Sequence, residues 1–386
     1  MKIALVCPYD MIGHAGGVQQ IVMNQAAGLR KRGHSVKIIT PRPLGTQHEA
    51  PDDYIFVGSS TKLKAGLATA GDVGFEIDGR EIEDILEREK FDVINFHEPW
   101  LPHISRQLIQ RSDSAHVATF HANLMDSAAG KSILNITGRY WKVIVEKTDV
   151  FTAVSQAASS GLLNKARINP ALAQIRYIPN GIDLKALQTV PPGAVKHKSL
   201  KTILYVGRLE GRKGLKYLLK AFAELASRNS DVQLFIAGKG VDEEKLRDYV
   251  RDNEIPRVTF LGYISDEEKI YHLHRADVFC APAHRGESFG IVLIEAMAAG
   301  LPIVAGDNAG YSSTMTGTGK MSLVNPMDTV DFARRLEIML FDEGLRKIWL
   351  QWAKDYVKQF DWGLIIKEYE QAYEDAIKIH AKKSKS

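Results

Sequence analysis

Two glutamates, Glu287 and Glu295, stand eight positions apart in the stretch RGESFGIVLIEAMAAG, Arg285 to Gly300. Carboxylates only accept hydrogen bonds when ionised, which suits them to sugar hydroxyls. Gly286, Ser288 and Gly290 read as a loop feeding a helix over Ile291 to Ala299, because glycines permit tight turns and the Leu/Ile/Ala/Met run favours helix. The first N–H groups of such a helix lack partners within it and offer donors to an anion or a hydroxyl. Counted as helix, eight residues at 3.6 per turn put Glu295 about two turns along the same face as Glu287. Spacing alone does not make a site, since two glutamates beside one helix are as a rule solvated or compensate its dipole.

Such a loop needs a rigid sheet behind it, and the chain supplies the pattern for two. Apolar runs at Ile3 to Cys7, Ser35 to Thr40, Tyr54 to Val57, Val93 to Phe96, Val117 to Phe120 and Val150 to Val154 alternate with helical patterns at 16–32, 81–90 and 138–146. The second half repeats the alternation, with strands at Thr202 to Val206, Val232 to Ala237, Val258 to Leu261 and Val278 to Ala281. This is the signature of doubly wound α/β domains, whose ligands bind beyond the carboxyl ends of the strands. The turn-rich connector from Ile178 to Lys201, with Pro179-Asn180-Gly181-Ile182-Asp183 and Pro191-Pro192-Gly193, separates them. The predicted division is 1–190, rejoined by a C-terminal helix at about 363–386, and 191–362.

Composition restricts the setting. At 386 residues, 45% apolar and 25% charged, the chain matches a two-domain globular protein. Fifty basic against 46 acidic residues is too even for a nucleic-acid coat. Cys7 and Cys280 sit in apolar runs as small buried hydrophobes, so a reducing cytoplasm is expected. With no signal peptide and no run of eighteen apolar residues, any membrane association is expected to be peripheral.

Other strand ends carry polar residues. Pro8 to Gln19 holds the glycine pair Gly16-Gly17, which lets the backbone approach a phosphate at a helix start. Phe96-His97-Glu98-Pro99 and Phe120-His121-Ala122-Asn123 place histidines at two adjacent strand ends, although a lone histidine is more often a satisfied structural residue. After Val206 comes Gly207-Arg208-Leu209-Glu210-Gly211-Arg212-Lys213-Gly214. Taken alone, its cations are equally two solvated surface charges, but their place between a buried strand and a helix argues otherwise.

These motifs, in this order, resemble the retaining glycosyltransferases of family 4. The E-x7-E block is especially similar to that of bacterial phosphatidylinositol mannosyltransferases, and the likeness runs from Cys7 to Trp362. The resemblance implies the GT-B fold, an α/β architecture of two Rossmann-like domains facing a central cleft. It further implies that Glu287 holds the transferred sugar and Glu295 the nucleotide ribose, with Ser288, Phe289, Gly290 and Ile291 around them. The GGV loop at Gly16 and Gly17 would border the nucleotide phosphates, and HEP with His121 would line the site between the domains. Gly262-Tyr263-Ile264 would seat the base, and Tyr9, Asp10, Gln19, Lys62, Lys64 and His121 would meet the acceptor. Arg208, as a bidentate fork, and Lys213, as a point charge, would stabilise the departing diphosphate, standing with helix N-termini where other transferases use a divalent ion. No metal cluster or tightly bound cofactor is expected.

The implied reaction moves a hexose, with mannose from GDP-mannose preferred, onto an inositol phospholipid or related polar acceptor. A UDP-sugar enzyme with a soluble acceptor and a non-enzymatic nucleotide-sugar binder remain alternatives. One departure bears on the lipid. Where the resembled mannosyltransferases carry a basic amphipathic helix, this chain reads GREIEDILEREKF over Gly79 to Phe91 and is acidic. Carboxylates are repelled by anionic lipid, so membrane attachment is expected to fall instead on Lys62 and Lys64, or on Trp141 with Arg139, Lys142 and Lys147.

Overall fold

Apolar runs with no polar alternation can be covered only by burial on both faces, which a parallel sheet between helices provides. The chain forms two such sheets. The computed structural model describes all residues except 13–15, 44–49, 63–71, 76–77, 124–137, 161–173 and 386, and for 59–62, 72–75, 102–103 and 138–139 it describes the backbone alone. Lys64 therefore lies outside the described residues, as do the side chains of Lys62 and Arg139.

The chain divides into two compact units, Met1–Gly181 with Trp362–Ser386, and Ile182–Asp361. Unit 1 contains β1 (Lys2–Val6), β2 (Ser35–Pro41), β3 (Tyr54–Val57), the antiparallel pair β4 (Ser59–Lys62) and β5 (Asp72–Phe75), β6 (Val93–His97), β7 (Ala115–Phe120), β8 (Val150–Ala153) and β9 (Ile175–Tyr177). Its parallel sheet has the order β3-β2-β1-β6-β7-β8-β9. In β1 Ile3, Ala4, Leu5 and Val6 are all buried. The Gly17–Lys31 helix buries Val18, Ile21, Val22, Ala26 and Leu29. The terminal Trp362–Lys383 helix packs against it and the sheet, burying Ile365, Ile366, Tyr369 and Tyr373. That helix is also tied by charge: Glu370 pairs with Arg32 and His34 at 2.5 and 2.6 Å, and Asp375 pairs with Arg176 at 2.7 Å.

Unit 2 contains β10 (Lys201–Val206), β11 (Val232–Ala237), β12 (Val258–Gly262), β13 (Val278–Ala281), β14 (Ile303–Gly306) and β15 (Leu323–Val324), in the order β12-β11-β10-β13-β14-β15. The Leu215–Arg228 helix buries Leu215, Leu218, Leu219, Phe222 and Leu225 and packs against the Thr329–Phe341 helix. In both units the strand order reverses beside the first strand, between β1 and β6 and between β10 and β13. Such a switch point opens a crevice at the carboxyl edge.

The connector divides earlier than position 190. The Ile182 N–H donates to the Phe360 carbonyl at 2.8 Å, and Ile182 bridges Asp361. The Leu184–Gln188 helix is capped by Asp183, and its Leu187 carbonyl lies 2.9 Å from His274 Nε2. These bonds commit residues from 182 onward to unit 2. The β4–β5 pair, the Pro102–Arg111 helix, β9, β14 and β15 were not anticipated from the sequence, the strands being two to four residues long.

Burial makes unit 1 sensitive to acid. His116 is buried, its Nδ1 lies 2.9 Å from the Lys147 carbonyl, and its Nε2 has no partner among the described residues. Burial lowers its pKa from 6.5 to about 4, against the pull of that carbonyl and of Asp149. The unfolded chain thus binds the proton first as pH falls, so stability present above about pH 6.5 is lost as pH drops towards 4. The part of this loss due to His116 is about 3 kcal/mol across this window, and His116→Gln should remove that part while leaving the part due to the other buried histidines, His97 and His121. Denaturant unfolding of both proteins at several pH values checks this; parallel slopes would contradict it.

Candidate active site

In unit 2 the loops after β10 and β13 meet at the switch point. Gly214 ends the first loop at φ +74°, and a Cβ there would stand 2.0 Å from the Pro282 carbonyl. Only glycine allows that backbone-to-backbone approach. The contact brings the cations of the first loop against Glu287 of the second. Lys213 Nζ lies 2.7 Å and Arg212 Nη1 2.8 Å from the same Glu287 oxygen, and Arg212 also donates to the Gly286 carbonyl at 3.0 Å. Glu210 joins the other side, pairing with Arg208 at 2.8 Å and with Arg212 at 3.1 Å. The result is a chain of alternating charge, Arg208–Glu210–Arg212–Glu287–Lys213. Burial lowers the Arg208 pKa, opposed by Glu210.

Glu287 does not lie on the helix that follows. The helix is Ile291–Ala298, preceded by Gly290 at φ 92°, so Glu287 belongs to the loop. Eight helical residues would in any case overshoot two turns by about 80°. The Glu287 backbone is fixed from behind by Gly310, where a Cβ would lie 2.3 Å from the Glu287 carbonyl. Glu295 is on the helix and faces a different cation: Lys269 Nζ is 2.8 Å from its carboxylate and 3.0 Å from Asp266. Burial pushes the Glu295 carboxyl up, and Lys269 opposes this.

The neighbouring residues divide. Phe289 is buried, edge-on to Phe360 at 5.8 Å, and its carbonyl accepts from the Thr314 hydroxyl at 2.6 Å, so its ring supports the loop. Ser288 and Ile291 are partly exposed beside it. Tyr263 is 78% exposed after β12, and Ile264 is partly exposed. Gly262, just before them, accepts the Gly238 N–H at 2.6 Å.

Unit 1 has its polar centre at the same edge of its own sheet. Gly16 is the N-cap of the Gly17–Lys31 helix without a side-chain cap, and among the described residues nothing stands within 4 Å of a Cβ placed on Gly17. Residues 13–15 of this loop lie outside the described residues. Tyr9, Asp10 and Gln19 are buried. Asp10 Oδ1 accepts the Ile12 N–H at 2.8 Å, and Gln19 donates to the Asp10 carbonyl at 3.3 Å, so these groups shape the loop that was expected to meet an acceptor.

His97 and Glu98 do not line a surface, since both are 0% exposed. They support His121, itself 5% exposed. His97 Nδ1 lies 2.8 Å from His121 Nε2, with the rings 18° from parallel. Glu98 accepts the His121 N–H at 3.0 Å and the Trp100 indole N–H. To do so Glu98 adopts φ 51°, a conformation that costs a non-glycine residue about 1 kcal/mol or more. Burial raises the Glu98 pKa to about 7, against its hydrogen bonds to Trp100 and His121. Burial also lowers the His121 pKa to about 3, so its ring is neutral at physiological pH.

Trp141 is 4% exposed and stacks on Phe120 at 6.0 Å, which makes it core rather than an interfacial anchor. The acidic Gly79–Glu89 helix likewise spends its apolar face on the interior, burying Ile82 and Ile85. Sequence reasoning passed over Glu210, Arg212 and Lys269. The first two stood inside the quoted GRLEGRKG stretch, where alternating charge was the signal. Lys269 is 26 positions from Glu295 and gave none.

Comparison with known proteins is consistent along the whole chain. Residues 15–186 match the model described as Glycosyltransferase Family 4, and residues 191–356 match Glycosyl transferases group 1. A phosphatidyl-myo-inositol mannosyltransferase of Mycolicibacterium smegmatis is 32% identical over 97% of this chain and 94% of its own length. Its Mycobacterium tuberculosis counterpart is 31% identical, with 97% of both chains covered. Among solved structures, sucrose-phosphate synthase from Thermosynechococcus elongatus superposes with a TM-score of 0.74 at 22% identity, covering 97% of this chain and 98% of that one. The two parallel-sheet units are thus those of the GT-B fold, and the chain belongs to the glycosyltransferase family that includes the phosphatidyl-myo-inositol mannosyltransferases.

Proposed function

We propose that this glycosyltransferase moves a hexose, with mannose from GDP-mannose as the preferred donor, onto an inositol phospholipid with retention of anomeric configuration. The observation that carries the reading is the charge chain that runs through Glu287, because it holds the groups a nucleotide-sugar needs in one loop pair. An incoming diphosphate replaces Glu210 and Glu287 as counter-ion to Arg208, Arg212 and Lys213. Glu287, released from its cations, turns to the sugar hydroxyls, while Glu295 with Lys269 holds the ribose. Charge growing on the departing diphosphate is then met by fixed donors, which is where such donors lower a barrier most. Tyr263 and Ile264 form the base platform, and the names of the relatives support the inositol lipid as acceptor.

Among the described residues no helix is long and apolar enough to cross a membrane. The relatives' names, which specify a membrane lipid, support a reading in which the protein meets its acceptor as a peripheral enzyme on the cytoplasmic face. The exposed Glu83, Asp84 and Glu87 favour a second reading in which the acceptor is soluble and polar.

A small matrix of GDP- and UDP-sugars against phosphatidylinositol vesicles and free inositol phosphates tests the reading. The expected product is the mannosylated lipid with the anomeric configuration of the donor. NMR showing an inverted anomer in the first-formed product would exclude retention, and transfer only from a UDP-sugar to a soluble acceptor would favour the second reading.

The two glutamates should separate by ligand. Glu295→Gln is expected to weaken free nucleoside diphosphate about tenfold, as loss of one charged hydrogen bond would. Glu287→Gln should leave that ligand bound at least as tightly, because it frees Arg212 and Lys213, and should weaken only the sugar nucleotide. Calorimetry giving the reverse pattern would overturn the assignment.

Binding to anionic vesicles should be weak and only mildly salt-sensitive, since a basic helix would add about 1 kcal/mol per cation and this one is acidic. Sedimentation decides this, and tight binding abolished by moderate salt would contradict it.

A further inference from the structure

We infer that His121 is locked as the neutral tautomer with its proton on Nδ1, by a one-way hydrogen-bond relay through Thr152, Thr119, Asn95 and His97. The relay is wholly buried: Asn95, His97, Thr119 and Thr152 are all 0% exposed. Thr119 Oγ1 lies 2.8 Å from Thr152 Oγ1 and donates to Asn95 Oδ1 at 2.7 Å. With its carbonyl occupied, Asn95 turns its amide nitrogen towards the Tyr373 hydroxyl at 2.9 Å and His97 Nε2 at 3.3 Å. His97 Nε2 thus accepts, and a neutral imidazole has one proton, so His97 carries it on Nδ1. That proton points at His121 Nε2, 2.8 Å away. His121 Nε2 must then be the bare nitrogen, and the His121 proton sits on Nδ1. Nδ1 is a buried atom for which no partner exists among the described residues.

An unpartnered buried donor is costly, and such groups mark places where a ligand supplies the missing partner. Here the partner must be an acceptor. Resting on the transferase reading above, the partner is an oxygen of the substrate, a sugar hydroxyl. The lone pair of His121 faces inward to His97, so His121 orients that oxygen and does not take a proton from it. Asn95, His97 and Thr119 are positioning residues for this donor.

The tautomer is read directly by two-bond proton–nitrogen correlation on the full chain labelled with 15N-histidine, with the His121 signals identified by their loss in His121→Asn. Wild type is expected to show a protonated Nδ1 and a bare Nε2 without substrate. Thr119→Val, which keeps shape and removes the donor that orients Asn95, should shift His121 to a mixture or to the opposite tautomer. Thr152→Val is the milder second variant and should move the signal in the same direction. A proton on Nε2 in wild type overturns the proposal, whether or not the variants fold. An unchanged tautomer in a folded Thr119→Val protein also overturns it. Because no substrate is present, these outcomes are independent of whether the donor and acceptor are correctly assigned.

Discussion

Burying a parallel strand on both faces leaves its ends as the places where polar groups can meet a ligand, and the candidate site of each unit obeys that constraint. β1 and β6 in one unit, and β10 and β13 in the other, flank the point where strand order reverses, so the loops after them cannot avoid each other. In unit 2 this brings GRLEGRKG against RGESFG, with Gly214 against the Pro282 carbonyl setting the distance. In unit 1 it sets His97-Glu98 beside His121.

The two sites are prepared in opposite ways. The donor-side site is charged and internally compensated: three cations and two carboxylates share 2.7 to 3.1 Å contacts. In such a network every cation has a carboxylate partner and every carboxylate at least one cation. The site around His121 is neutral and dry. Burial holds both histidines uncharged, and hydrogen-bond direction takes the place of charge in orienting them.

The terminal helix has a part in this order. Tyr373 reaches Asn95 at 2.9 Å and Gln25 at 2.6 Å, so a helix almost at the end of the chain contacts the support of His121 as well as the first helix. The ion pairs of Glu370 and Asp375 hold that helix at its exposed margin, where they fix its placement more than they add stability.

The residues by themselves determined the fold class, most strand positions, the motif order and the identity of Arg208, Lys213, Glu287, Glu295 and His121 as the groups to watch. Each of these is local: a strand is a short apolar run, and a motif is a fixed spacing. The relay behind His121 was not read from the sequence, although Asn95 and His97 are two apart and share a face of β6. Partnership across loops was not legible. That Glu287 meets Arg212, that Glu295 meets Lys269, that Trp141 is core, and that HEP is a buried support depend on which strand ends become neighbours and which faces a helix covers. Those are set by packing between segments far apart in the chain, and only the tertiary structure decides them.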